Sequence, residues 1–122
     1  MNREEFIRHV AEHYAVEPDY PWAKYPEYAV FRHRGSRKWF AVLMNVPSAY
    51  LGLAESSGKL DIVNVKVRPD LVGSLRTMKG ILPAYHMNKE HWLSMVLSEV
   101  GEQVLLPLLD DSFMLTGTPS RR

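Results

Sequence analysis

Residues 28–46 read Tyr28-Ala29-Val30-Phe31-Arg32-His33-Arg34-Gly35-Ser36-Arg37-Lys38-Trp39-Phe40-Ala41-Val42-Leu43-Met44-Asn45-Val46, and this stretch decides the fold. Tyr28–Arg34 and Lys38–Val46 are two strand-like runs joined by Gly35-Ser36, the pattern of an antiparallel hairpin. Gly35 is expected to supply the positive φ of a tight turn, because it has no Cβ to clash. The second run, Trp39-Phe40-Ala41-Val42-Leu43-Met44, is apolar on both faces, so it belongs in the interior of a sheet.

Toward the C-terminus, Pro47 to Gly58 reads as a loop, with Ser56-Ser57-Gly58 its most mobile part. Lys59–Val67 is a third strand: Val63, Val65 and Val67 point one way, Asn64 and Lys66 the other. Pro69 suits the first position of a helix and Asp70 its positive end. Leu71, Val72, Leu75 and Met78 are expected as the buried stripe of that helix, and Gly80 as its stop. Ile81–Met87 and His91–Leu97 form a second hairpin around Asn88-Lys89-Glu90. Glu102–Leu115 is helical in period, with Val104, Leu105, Leu108 and Leu109 inward. Pro107 should bend this helix or delay its start. From Thr116 onward the chain reads as a frayed tail.

Toward the N-terminus, residues 2–15 read as an amphipathic helix. Asn2 and Glu5 make a capping box, and Phe6, Val10 and Tyr14 share one face. Between this helix and the hairpin, Pro18, Pro21 and Pro26 forbid helix. With Tyr20, Trp22 and Tyr25 they describe an ordered irregular segment lying on the core. The order α-β-β-β-α-β-β-α, with hairpin connections, predicts an α+β fold: a two-layer α/β sandwich in which helices pack on one face of an antiparallel sheet.

The chain has 122 residues, room for a single domain over 1–122, and 46% hydrophobic residues to build its core. It has no Cys, which excludes disulfides, thiol nucleophiles and Cys-based zinc sites and makes a reducing cytoplasm the expected setting. No apolar run approaches the ~20 residues of a membrane span, and the start of the chain carries no signal-peptide core, so no membrane association is expected. The net charge of +1 conceals a pattern. Residues 1–20 hold two basic and five acidic residues (−3), residues 21–89 eleven and four (+7), and residues 90–122 two and five (−3). A basic centre between acidic ends admits an anionic partner.

Arg32, Arg34, Arg37 and Lys38 crowd the tip of the first hairpin, and Lys66 and Arg68 end the third strand. A basic hairpin of this kind can act as a wing whose arginine forks match phosphates. The competing reading is a charged hairpin kept soluble and protected from edge pairing. The densest polar cluster is Pro83-Ala84-Tyr85-His86-Met87-Asn88-Lys89-Glu90-His91-Trp92. There His86 and His91 can meet across a turn to hold a metal or an anion, or Asn88 can simply brace the turn. Spacing nominates no third metal ligand, so no metal and no cofactor is expected. His9 and His13 read as surface histidines, and Asp110-Asp111 as a solvated or helix-bracing pair. No Gly-x-Ser-x-Gly, His-Glu-x-x-His or Gly-x-Gly-x-x-Gly pattern occurs, and a non-enzymatic protein with no catalytic residue is expected.

Several of these stretches resemble the MmcQ/YjbR family over essentially the whole chain. They are Pro21-Trp22, Val30-Phe31, Lys38-Trp39-Phe40-Ala41, Asn64-Val65-Lys66-Val67, Pro69-Asp70-Leu71, the Pro83–Trp92 cluster and Leu109-Asp110-Asp111-Ser112-Phe113. The most specific part is His86-Met87-Asn88-Lys89-Glu90-His91-Trp92. The family pattern falls here on Lys66, Pro83, His86, Asn88, Lys89, His91 and Trp92, while Pro107 departs from a last helix that is normally unbroken. The resemblance implies a fold similar to secretion chaperones and frataxin-like domains, and a DNA-binding role through a double wing. The expectation is therefore a DNA-binding module. Arg32, Arg34, Arg37, Lys38, Lys66, Arg68 and Lys89 would meet phosphates, with His86 and Asn88 near backbone or bases. The alternatives are a protein- or peptide-binding adaptor, a homodimer included, and a small anion or metal site at the His86–His91 hairpin.

Overall fold

A computed structural model describes residues 1–53 and 58–117. Helix α1 spans Arg3–Tyr14, followed by strands β1 (Ala29–Arg32) and β2 (Trp39–Pro47) and a 3-10 turn at Ser48–Leu51. Strand β3 (Lys59–Lys66) leads through a 3-10 turn at Pro69–Leu71 into α2 (Val72–Leu75). Strands β4 (Ile81–Pro83) and β5 (Trp92–Val96) and helix α3 (Glu102–Thr116) complete the chain. The strands form one sheet in the order β1-β2-β3-β5-β4, every neighbouring pair antiparallel. The α+β architecture expected from the sequence is the one observed, with β2 an interior strand.

The sheet is apolar on both faces, and each face is covered differently. Against the helices it packs Phe31, Phe40, Leu43, Val65, Leu93 and Met95, all fully buried with Phe6 and Val10 of α1 and Leu105 and Leu109 of α3. The outer face, away from the helices, carries Val30, Val42, Met44, Val46, Ile62 and Val96. It is roofed by Trp22 and Tyr28 of the proline-rich segment and by Tyr85 and Met87 of the link after β4. This second layer explains why β2 has no polar side, and it confirms that the segment before β1 lies on the core. A β-bridge between Asp19 and Val30 ties that segment to the edge strand.

The capping box at Asn2 is formed as expected: the Glu5 amide donates to Asn2 Oδ1 (2.8 Å) and the Asn2 amide to Glu5 Oε1 (2.9 Å). The hairpin turn differs. His33 N–H donates to Lys38 O (2.8 Å) and Arg37 N–H to His33 O (3.0 Å). In this wider turn the positive φ falls on Arg37 (67°) rather than on Gly35. Pairing then shifts register between Phe31 and Arg32, so that Phe31 faces Ala41 and Arg32 faces Trp39. Phe40 is the extra residue of the resulting bulge, and both Phe40 and Ala41 join the helix-side core.

The helix expected after Pro69 is only a 3-10 turn and one α-turn. Leu71, Val72 and Leu75 are half-buried and Met78 is exposed, so no buried stripe forms. Gly73, Ser74 and Thr77 are weak helix formers, and both hydroxyls bond back to carbonyls three residues earlier. Gly80 does end this segment, buried at φ 85°. The second hairpin is also shorter than its pattern, because residues 84–91 leave the ladder. Helix α3 starts at Glu102 and runs through Pro107, so its start is not delayed. Its buried side adds Ser112 and Thr116 to Leu105, Leu108 and Leu109, while Val104 is half-buried. Thr116 belongs to the helix. Ser56, Ser57 and the tail after Gly117 lie outside the described residues. Among the described residues no helix is long and apolar enough to cross a membrane.

Candidate nucleic-acid interface

Antiparallel pairing brings the C-terminal ends of β1, β3 and β4 and the N-terminal ends of β2 and β5 to one end of the sheet. The connections there are 33–38, 67–68 and 84–91, so Arg34, Arg37, Lys38, Arg68, His86, Asn88 and Lys89 collect at that end. The last residues of the strands form a row. Arg32 pairs with Trp39 across β1 and β2, and Lys66 pairs with Trp92 across β3 and β5. Alternation along β3 and β5 puts Lys66 and Trp92 on the outer face, since Val65 and Leu93 face the helices. Cations and indoles thus alternate along one rim of the outer face, and the Arg32 guanidinium lies 5.5 Å from the centre of the Trp39 ring.

The end has an unusual opening between β2 and β3. Pairing stops at Ala41–Val65 because Phe40 is bulged. The buried Ser112 hydroxyl of α3 fills the gap, donating to Phe40 O (2.6 Å) and accepting from the Lys66 amide (2.8 Å). Thr116 then fastens the hairpin to the same helix through His33 Nε2 (2.8 Å). Burial holds the His33 imidazole below its ordinary range, with Lys38 adding in the same direction and a hydrogen bond to the Phe113 backbone opposing.

The nine expected site residues are not equivalent. Arg32 Nε and Arg37 Nη2 both donate to Asp19 Oδ2, at 2.8 and 3.0 Å. The Arg68 guanidinium is held by Asp70 at 2.8 Å, and that hydrogen bond in turn holds the Asp70 carboxyl below its ordinary range. Arg68 also borders the hollow beside α3, with Leu108 and Met114, which removes it from the outer face. Arg34, Lys38, Lys66 and Lys89 make no ion pair among the described residues. Asn88 braces its turn: its Oδ1 accepts from the Glu90 and His91 amides, and its carbonyl from Trp92. His86, at φ 60°, stacks on Tyr85 with ring centres 3.9 Å apart. Among the described residues no group of three or more His, Asp or Glu stands where it could hold a metal.

What the sequence reading missed is a hollow on the outer face. It has a volume of about 300 Å³, a floor of Val42 and Met44, and walls of Trp22, Tyr28, Trp39 and Tyr85. Trp22 meets Trp39 edge-on at 5.9 Å, and Tyr25 stacks on Tyr28 at 4.7 Å. Burial, and then the neighbouring phenols, hold the Tyr28 and Tyr85 hydroxyls above their ordinary range. The wall carrying Tyr85 is fixed by a closed set of bonds. Tyr85 N–H donates to Ser94 Oγ (2.9 Å), Ser94 to Asn64 Oδ1, and Asn64 Nδ2 back to Tyr85 O (2.9 Å). Asn64 and Ser94 are both fully buried. The signal in the sequence was the run of aromatics among prolines at 20–28; nothing local showed that Tyr85 would complete it.

Comparison with known proteins adds a lineage to this geometry. The YjbR family model matches residues 11–115. The uncharacterized protein YyaQ of Bacillus subtilis (strain 168) is 45% identical over 117 residues, which cover 95% of this chain and 98% of that protein. The uncharacterized protein YbdF of Escherichia coli O157:H7 is 33% identical over 98 residues, covering 77% of this chain and 68% of that one. A crystal structure of a protein from Pseudomonas syringae superposes with a TM-score of 0.93 at 47% identity, covering 96% of this chain and all of that one. A Deinococcus radiodurans protein with a DUF419 domain shares the fold, with a TM-score of 0.70 at 23% identity over 94% of this chain and 78% of that one.

Proposed function

The chain belongs to the YjbR family, and from that premise we propose that it binds nucleic acid, holding phosphates at the basic end of its sheet and doing no chemistry on them. One observation carries this reading. The topology draws Arg34, Lys38, Lys66 and Lys89 to one end, without ion pairs among the described residues, beside a rim of alternating cations and indoles. Cations left free at one end of a molecule attract a polyanion and place its backbone, and the arginine fork suits phosphate. Arg32 and Arg37 are partly neutralised by Asp19 and contribute less, while Arg68 stands apart with Asp70.

The test is fluorescence anisotropy of labelled DNA over a tenfold range of salt. With about four phosphates neutralised, log affinity for a duplex should fall by ~3 to 4 over that range, and somewhat less steeply for a single strand. Replacing Lys66 and Lys89 by Gln should lower the slope by about two. Absent binding at low salt, or an affinity indifferent to salt, overturns the reading. A protein partner is the second reading, favoured by the apolar hollow of about 190 Å³ between Leu71 and α3, where Met114 is 72% exposed.

A further inference from the structure

We infer that the aromatic hollow on the outer face is a base-binding site, and that the nucleic acid this protein takes is single-stranded. The inference rests on the proposed function and names its substrate class. Four observations lead to it. The hollow is walled by aromatic rings and floored by Val42 and Met44, so it offers stacking surfaces and few charges. At about 300 Å³ it stands at the small end of ligand sites, which suits one planar ring system. Its rim carries cations where the row begins: Arg32, partly neutralised by Asp19, lies over Trp39, itself a wall of the hollow, and Lys66, with no ion pair among the described residues, follows on the strand next to that of Trp39. Finally, the Tyr28 and Tyr85 phenols and the His86 ring bring hydrogen-bonding groups to a lining that is otherwise apolar.

The arrangement discriminates between forms of nucleic acid. A base in a duplex is stacked on its neighbours and paired at its edge, so it cannot enter a walled hollow. An unpaired base can, and its phosphates then lie on the surface, where the cations are. The wall does not have to form on binding, because the Asn64–Ser94–Tyr85 bonds already hold it. Tyr25 is 49% exposed at the mouth, stacked on Tyr28, where it can extend the platform to a second base.

The experiment compares four probes on the full chain, by anisotropy and by quenching of tryptophan fluorescence. They are a ten-nucleotide single strand, the same backbone with abasic sites throughout, the corresponding duplex, and an acidic peptide of equal charge containing Tyr. The single strand is expected to bind best and to quench. The abasic strand should bind about tenfold more weakly or worse, without quenching, since stacking on an aromatic ring has an effect of that order per base. Tyr25→Ala, a change at an exposed position, should lower single-strand affinity several-fold and leave the abasic strand unchanged. Trp22→Ala should do the same more strongly. Equal binding of base-bearing and abasic strands, or preference for the duplex, overturns the base site and leaves the phosphate reading standing. Binding of the peptide in preference to every nucleic acid overturns both, as does binding of none of the probes.

Discussion

Ser112→Ala tests the reasoning about how α3 supports the basic end of the sheet. The Ser112 hydroxyl is fully buried and stands where a β2–β3 ladder bond would be if Phe40 were not bulged. Removing it leaves the Phe40 carbonyl and the Lys66 amide without partners. An unpaired buried backbone group costs about 1–3 kcal/mol, and two are exposed to that cost here. Alanine is the better helix former by about 0.5 kcal/mol, which offsets a little. The net expectation is a loss of about 2–5 kcal/mol, a large part of the ~5–15 kcal/mol that stabilises a typical domain. Urea unfolding followed by tryptophan fluorescence measures it, with Asp111→Ala as the control. That neighbour is exposed, and its substitution should stay within about 0.5 kcal/mol of the parent. Hydrogen exchange adds a local readout: the Lys66 amide should lose protection far more than amides in α1. If Ser112→Ala unfolds at the parent's urea midpoint with Lys66 still protected, the bridging role is refuted.

Three further outcomes follow from individual contacts. Asp19→Asn removes the carboxylate that holds Arg32 and Arg37, so DNA affinity at low salt should rise several-fold and its salt dependence steepen; unchanged binding would place these arginines outside the interface. His33 titrates below its ordinary range in the fold, so its contribution to stability is present above the unfolded value near ~6.5 and is lost as pH falls through the folded value. Urea midpoints at pH 7.5 and 5.5 should therefore differ less in His33→Gln than in the parent, and an identical difference would contradict this. Gly80→Ala puts a Cβ 2.8 Å from Val100 Cγ2 and 2.9 Å from Glu99 Cβ at a φ of 85°. Left-handed strain of about 1–2 kcal/mol and overpacking of about 1–3 kcal/mol should lower stability by about 2–5 kcal/mol in the same urea assay.

The candidate site illustrates why similar-looking residues came to different ends. Arg32, Arg34, Arg37 and Lys38 are equivalent in the sequence, but Asp19, thirteen to eighteen positions away from its two partners, neutralises only Arg32 and Arg37. Arg68 and Lys66 are two residues apart, yet alternation and the end of β3 send Lys66 to the outer face and Arg68 beside α3. His86, Asn88 and His91 looked like a ligand cluster by density alone. Asn88 is engaged with the backbone of its own turn and His86 with the Tyr85 ring, so their proximity in sequence reflects a tightly folded link.

By itself the sequence determined the elements and their class. Periodicity placed α1, α3 and the strands, and the two-sided apolar pattern of Trp39–Met44 placed β2 inside the sheet, because these signals depend only on neighbours along the chain. It also determined the charge pattern that brings a polyanion into consideration. Tertiary structure decided what depends on partners distant in sequence. The register shift at the base of the hairpin leaves a gap that is filled by Ser112, 72 residues from Phe40. Which cations remain free was decided by Asp19 and Asp70, and the hollow exists only because Trp22, Trp39 and Tyr85, from three separate segments, close over Val42 and Met44. Side-chain chemistry is local and can be read along the chain. A cavity and an ion pair are relations between segments, and only folding sets the distances on which they depend.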